Sequence, residues 1–180
     1  MKISYNWLKT YLDIPAEGIA DILTDTGLEV SGTEQLGMHP DIKDKLIVGK
    51  VLSVDPHPNA DRLQLTRVDV GKEDPLQIVC GAPNVAAGQK VAVAPVGTTL
   101  HHINGSTLQI KKARIRGEES EGMICAEDEI GISDKHKGII VLEKNAETGT
   151  AAATYLNTTA DTVFEIDLTP NRIDGASHIG

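Results

Sequence analysis

Short apolar–polar alternations between turn clusters predict a mainly β fold, and two of those alternations change face midway, as strands of a small closed barrel do. From Leu46 to about Leu142 the strands are brief and bounded by Gly, Pro, Asn and Asp, the pattern of a barrel or sandwich. In Leu63, Leu65, Val68 and Val70 the apolar set jumps by one residue after Leu65, and Leu108, Ile110, Ala113 and Ile115 jump in the same way. A slip of one residue turns later side chains to the opposite face, so a bulge or sharp coil is expected at each jump. Gly49, midway along the first strand, can relieve crowding at a similar bend. Bent strands are what closure of a small sheet requires, and a five-stranded barrel of the OB type is expected.

The flanks read differently. Ser4 can cap a helix whose Trp7, Leu8, Tyr11 and Leu12 share one face. Pro15 is placed to open a second helix with Ile19, Ile22 and Leu23 inward, ended by Gly27. Leu28 to Thr33 reads as extended, and Gly37, Pro40 and Asp41 to Lys45 as a linker. After Leu142, Thr150 to Leu156 suits a short helix. Thr162 to Leu168 suits a strand with Phe164, Ile166 and Leu168 on one face, ended at Thr169-Pro170-Asn171-Arg172. Ser177 to Gly180 carry no terminator, and the chain is expected to be truncated there. There is no internal repeat and no low-complexity tract.

No run of about 18 apolar residues exists, which argues against a transmembrane helix and a membrane partner. The start lacks the apolar stretch and cleavage site of a secretory signal. Cys80 and Cys125 stand far apart in no ligand spacing, so a reduced, cytoplasmic setting is expected. The net charge of −9 argues at first against a nucleic-acid partner, because phosphate is neutralised by Lys and Arg. The charge is segregated, however. Lys43 to Gly117 hold 11 basic and 6 acidic residues, whereas the remainder holds 6 basic and 20 acidic. A basic module thus lies between acidic flanks, although a charge run is most often a solvated face.

Within that module, Asp55-Pro56-His57-Pro58-Asn59-Ala60-Asp61-Arg62 is a loop stiffened by two prolines and by Asn and Asp, which bond their own backbone. In OB barrels the corresponding loop helps bind oligonucleotides; alone, it reads first as a plain rigid turn. Leu108 to Gly117, read as one strand, puts Lys112, Arg114 and Arg116 on one face at about 7 Å spacing, near that of successive phosphates. The pattern leaves two readings open, a phosphate-facing row or an edge protected by charge. Ser120 to Cys125 could bring a hydroxyl and a methionine to a sugar and a base, or could be a turn entering a buried strand. Cys80 with His57 imitates a thiol nucleophile and base, but no orienting group or oxyanion donors accompany them, and a buried structural Cys fits better. His101, His102 and His136 show no zinc spacing, and no glycine loop of the phosphate-cradling type occurs. No catalytic constellation emerges.

The aromatic residues are Tyr5, Trp7, Tyr11, Tyr155 and Phe164, with none between Leu12 and Thr154. Single-strand binders stack successive bases on aromatic rings. This barrel lacks that platform, so any RNA partner is expected to be met through backbone and shape, with one or two unstacked bases at most on Met123 or His101.

The stretches VGKVLSVDPHPNADRLQLTRVDVG (48–71), QIVCGAPNV (77–85), QIKKA (109–113) and IRGEESEGMICA (115–126) closely resemble the tRNA-binding domain family, and span nearly all of 46–132. SYNWLKTYLD, GLEVSG and EIDLTPNRIDGASHIG resemble the flanks of that module in the bacterial phenylalanyl-tRNA synthetase beta-subunit family. The resemblance implies an α+β, mainly β chain with the OB barrel (39–150) inserted in a discontinuous domain, whose halves are 1–38 and 151–180. It implies a non-catalytic, tRNA-binding part of a heterotetramer of two alpha and two beta chains. The parent would use ATP and Mg²⁺ to join phenylalanine to its tRNA, and this segment would hold no cofactor or metal. The competing reading is a protein-docking module that has lost RNA binding. Carried over position by position, the RNA-contacting elements fall on Asn59, Asp61 and Arg62, on Lys111, Lys112 and Arg114, and on Ser120 and Met123. Arg62 stands where Lys is more frequent, which keeps the charge but changes the phosphate geometry. Glu118, Glu119, Glu121, Glu127, Asp128 and Glu129 would confine RNA to one side.

Overall fold

Ser4 ends the first strand and starts the first helix, because its hydroxyl takes the free Trp7 N–H that a helix start leaves over, at 3.1 Å. The computed structural model describes residues 1–15, 17–102, 106–133, 137–156, 160–170 and 172. His136 and Asn171, read above from sequence, lie outside them. The chain forms two units, Met1–Leu36 with Ala160–Gly180, and Gly37–Thr159.

The first unit opens with β1 (Lys2–Ser4) and α1 (Tyr5–Leu8), followed by α2 (Ile19–Asp25) and β2 (Glu29–Leu36). The second helix starts at Ile19, after Gly18 as its cap, rather than at Pro15, and only Ile19 of its expected inward face is buried. Gly27 follows with φ +88°, the left-handed stop expected of it.

The second unit begins with a 3-10 turn, Pro40–Ile42, that replaces the expected linker. Ile42 and Leu46 are fully buried, so this stretch is packed core rather than a loose connection. The main sheet follows: β3 (Ile47–Pro56), β4 (Gln64–Asp69), β5 (Leu76–Cys80) and β6 (Lys90–Pro95). Next come β7 (Thr99–His101), β8 (Thr107–Gln109), β9 (Ala113–Ile115), β10 (Glu118–Ser120), β11 (Gly122–Ile124) and β12 (Val141–Leu142). The antiparallel sheet runs β11-β6-β3-β4-β5, with β12 also on β6. Its ends nearly close. Glu121 N–H donates to Gln77 O at 2.9 Å, and Val79 N–H donates to the Ser120 hydroxyl at 3.1 Å. The result is a mostly β chain with few helices and a barrel-like sheet.

All five strands feed one interior: Val51, Val68, Ile78, Val91, Val93 and Ile124 are buried together. The other face of β6, Ala92 and Ala94, meets a second core with Met38, Ile42, Leu46, Val48, Leu100 and Ile130. Burial on both faces explains the unbroken apolar run of β6.

The two register jumps read from sequence resolve differently. On β4 there is no slip. Thr66 occupies an inward position with its hydroxyl bonded to Ile78 O at 2.8 Å, so Thr66, Val68 and Val70 alternate without a break. The bulge lies opposite, on β3, between Val51 and Ser53. At the second jump the strand does break: β8 pairs with β7, and β9 pairs with β10. The chain then returns through a 3-10 turn, Ala152–Tyr155, to β13 (Asp161–Asp167), which lies between β1 and β2 in the first unit. There Asp161 accepts from Ser4 Oγ at 2.5 Å and from Asn6 N–H at 2.9 Å.

Gly49 has no room for a side chain: a Cβ would lie 2.6 Å from both Val68 Cγ1 and Val93 Cγ2. Overpacking of this kind costs about 1–3 kcal/mol. Gly49→Ala is therefore expected to lower stability in urea unfolding by that amount. Adding Val93→Ala should recover part of the loss, because the two sites share one space.

Candidate nucleic-acid interface

One loop and one hairpin assemble the basic cluster. Between β3 and β4 the chain folds on itself, with His57 N–H donating to Leu63 O at 3.1 Å and Leu63 N–H to Ala60 O at 3.3 Å. His57 is buried and its ring works in both directions. Nδ1 accepts from Asn59 N–H at 3.1 Å, which leaves Nε2 to carry the proton toward Ile115 O, also at 3.1 Å. Asn59 Nδ2 donates to Arg116 O at 3.1 Å. Two side chains of the loop thus hold the turn of the β9–β10 hairpin.

That turn is tight. Ile115 pairs with Glu118, so Arg116-Gly117 is a two-residue connection with φ +49° and +102°. Positive φ at both central residues is the type I′ turn, whose twist matches antiparallel strands. Arg116 is the one non-glycine residue with positive φ among the described residues.

The expected row of three cations on one strand does not form. Ile110 N–H donates to Thr98 O at 2.7 Å, which ties the chain to the β6–β7 connection and ends the first ladder there. Lys111 and Lys112 lie in the connection to β9, Arg114 lies in β9 and Arg116 in the turn. All four are exposed. Lys112 Nζ sits 3.0 Å from both Glu119 Oε2 and Glu121 Oε1. Those carboxylates hold the ammonium above its usual range, and Lys112 holds Glu119 below the usual carboxylate range. Arg114 Nε donates to Gly117 O at 3.1 Å, leaving the rest of its guanidinium outward. Among the described residues no ion pair engages Arg62, Lys111, Arg114 or Arg116.

Asn59, Asp61 and Arg62 share the loop, and the hairpin tip lies against it. Ser120 and Met123 do not join this surface. Ser120 is buried, its hydroxyl accepting from Val79 N–H and donating to Gly122 O at 3.0 Å, so it closes the sheet rather than facing a ligand. Met123 is half-buried against the second core and lines a cleft of about 520 Å³ with Cys80, Pro83, Glu129 and Lys137. His101, the other expected rest for a base, stacks on His39 instead. Burial, and then His39, keep its imidazole below the usual value. Both cysteines are free and buried, and burial raises both thiols. Both His57 nitrogens are engaged elsewhere, so His57 does not serve Cys80 as a base. Sequence reasoning left Arg116 out of the carried-over set and missed the part played by His57. The dipeptide Arg116-Gly117 between short strands was the available turn signal.

The family profile described as "Putative tRNA binding domain" matches residues 46–151. The phenylalanine–tRNA ligase beta subunit of Bacteroides fragilis is 52% identical over 182 residues, covering all of this chain and 22% of that protein. The beta subunit of Chlorobaculum tepidum is 51% identical, again over all of this chain and 22% of the relative. The chain therefore spans about a fifth of the length of these curated relatives. Among solved structures, the C-terminal domain of Plasmodium vivax p43 aligns with TM-score 0.43 and 25% identity over 62% of this chain and 61% of that one.

A non-glycine residue in the left-handed region costs roughly 1–2 kcal/mol, and Asn bears it best. Arg116→Asn is expected to stabilise the barrel unit by about 1 kcal/mol in urea unfolding, in spite of removing a charged side chain.

Proposed function

This chain belongs to the putative tRNA-binding domain family, and from that premise we propose that it is the tRNA-binding portion of a phenylalanine–tRNA ligase beta subunit. The observation that carries the proposal is the match along the whole chain, flanks included, to beta subunits of that enzyme. In this reading residues 39–150 are an OB barrel inserted between the halves 1–38 and 151–180 of a discontinuous α+β domain. The parent enzyme joins phenylalanine to its tRNA with ATP and Mg²⁺, as two alpha and two beta chains in the cytoplasm. Both ATP and Mg²⁺ belong to parts outside these 180 residues; this segment supplies affinity.

The mechanism is electrostatic capture of a folded RNA. Arg62, Arg114 and Arg116 present charge from a loop and a hairpin locked together by His57 and Asn59, and Lys111 adds a cation from the connection that leads into the hairpin. Phosphate contacts of this kind position RNA without reading bases, and without an aromatic platform the affinity rests on counterion release. Asn59 shapes the loop, Asp61 shares it, and Lys112 is a cation held in reserve by Glu119 and Glu121.

Filter binding of tRNA at low and high salt tests the reading. Arg114→Ala with Arg116→Ala should weaken binding. Removing each cation that meets a phosphate should flatten the plot of log affinity against log salt by roughly 0.7 to 0.9. Glu119→Gln with Glu121→Gln should do the reverse, by freeing Lys112. A wild-type affinity indifferent to salt, with both variants unchanged, would remove RNA capture and leave a docking module.

A further inference from the structure

Two histidines from separate parts of the chain meet face to face on the barrel unit, apart from the RNA-facing loop and hairpin. The His39 and His101 ring centroids lie 3.8 Å apart, with planes 10° from parallel. Asp41 joins them, with its carboxylate 3.6 Å from His39 Nδ1. One ligand atom from each of the three side chains lies within 4.8 Å of the others.

The backbones that carry them are fixed by packing. Met38 and Ile42 on one side and Leu100 on the other are buried in the second core. Gly131 lets the two segments approach: a Cβ there would stand 3.2 Å from both Gly37 O and His101 O. Asp41 N–H donates to His39 Nδ1 at 3.3 Å, so that nitrogen is unprotonated, and a metal that takes its lone pair displaces this hydrogen bond.

We infer that His39, Asp41 and His101 form a binding site for a divalent transition ion of the zinc class. Two imidazoles and one carboxylate are a recurrent donor set for such an ion, with a fourth position left to water. A hard cation such as Mg²⁺ prefers oxygen donors and fits poorly. At metal–ligand distances of about 2.1 Å, tetrahedral donors lie about 3.4 Å apart. Closing from the present separation takes a turn of the half-buried rings, which are now stacked, and a swing of the exposed Asp41 carboxylate. The backbone stays where the core holds it. A bound ion would clamp the segment that enters the barrel to β7.

The test is a titration of the whole chain, stripped with chelator, using ZnCl₂ in a calorimeter and Co²⁺ in an absorption spectrometer. One equivalent should bind at micromolar concentration, with Co²⁺ giving the visible bands of a four- or five-coordinate nitrogen–oxygen site and Zn²⁺ raising the melting temperature. Changes in outer-shell partners alone cost 10–100-fold in metal affinity, so His39→Gln, His101→Gln or Asp41→Asn should each lower it at least about tenfold. His102→Gln should leave it unchanged. Asp41→Asn alters an exposed side chain and serves if a histidine variant fails to fold. Absence of binding up to millimolar Zn²⁺, or an affinity that Asp41→Asn and His39→Gln leave untouched, overturns the site.

Discussion

The seam between β5 and β11 is the junction on which the barrel and its surface both depend. An open antiparallel sheet leaves a row of unpaired groups at each edge, and closure removes them. Here the two edges are not paired as a ladder. One backbone bond, Glu121 N–H to Gln77 O, and the buried Ser120 hydroxyl between Val79 N–H and Gly122 O bring them together. Gln77 Nε2 adds a bond to Glu119 O at 3.0 Å. The same residues end the β9–β10 hairpin, so the hairpin is anchored at the seam. His57 and Asn59 then fix its far end to the loop after β3. Closure of the barrel and placement of the cations are one structural event.

Much of the fold was legible because it follows from local chemistry. Ser4 caps, Gly27 stops a helix, and Gly49 fills a place where two valines leave no space for a methyl group. What failed had non-local causes. Thr66 hid an inward position because its polarity is cancelled by a carbonyl on the neighbouring strand. The bulge fell on β3 because register belongs to the pair of strands, not to the one whose pattern looks irregular. The segment after Gly37 looked like a linker by composition, yet Ile42 and Leu46 lie among the most deeply buried residues.

The candidate surface was legible in its residue types and not in its geometry. Lys111, Lys112 and Arg114 stand out by charge, and the jump after Ile110 marked a bend, but alternation could not tell a bend from the change of partners that occurs there. Nor could charge counting say which cations are engaged. Lys112 meets two carboxylates from the far side of its own hairpin, whereas Arg116 meets none among the described residues. Ser120 looked like a ligand hydroxyl because serine before Glu-Gly-Met carries no sign of burial; only the closed sheet shows where its bonds go. The pairing of His39 with His101 was invisible for the same reason, since sequence spacing shows metal ligands only when they share a short segment.

Arg116 brings the local and global arguments together. A two-residue hairpin favours glycine or asparagine at its first position, and a long cationic side chain there opposes the turn. Gly117 meets the second requirement, and the backbone is further restrained by the Asn59 amide on Arg116 O. The strain is thus carried by bonds from another loop. Without the Asn59 loop the turn would keep its strand pairing and the Arg114 bond to Gly117 O. Strain of this kind persists only where the surrounding structure over-determines it, and it clusters at ligand clamps and active sites. Among the described cations of this surface Arg116 alone has positive φ, so the tip of the hairpin is where backbone strain and the Asn59 anchor meet.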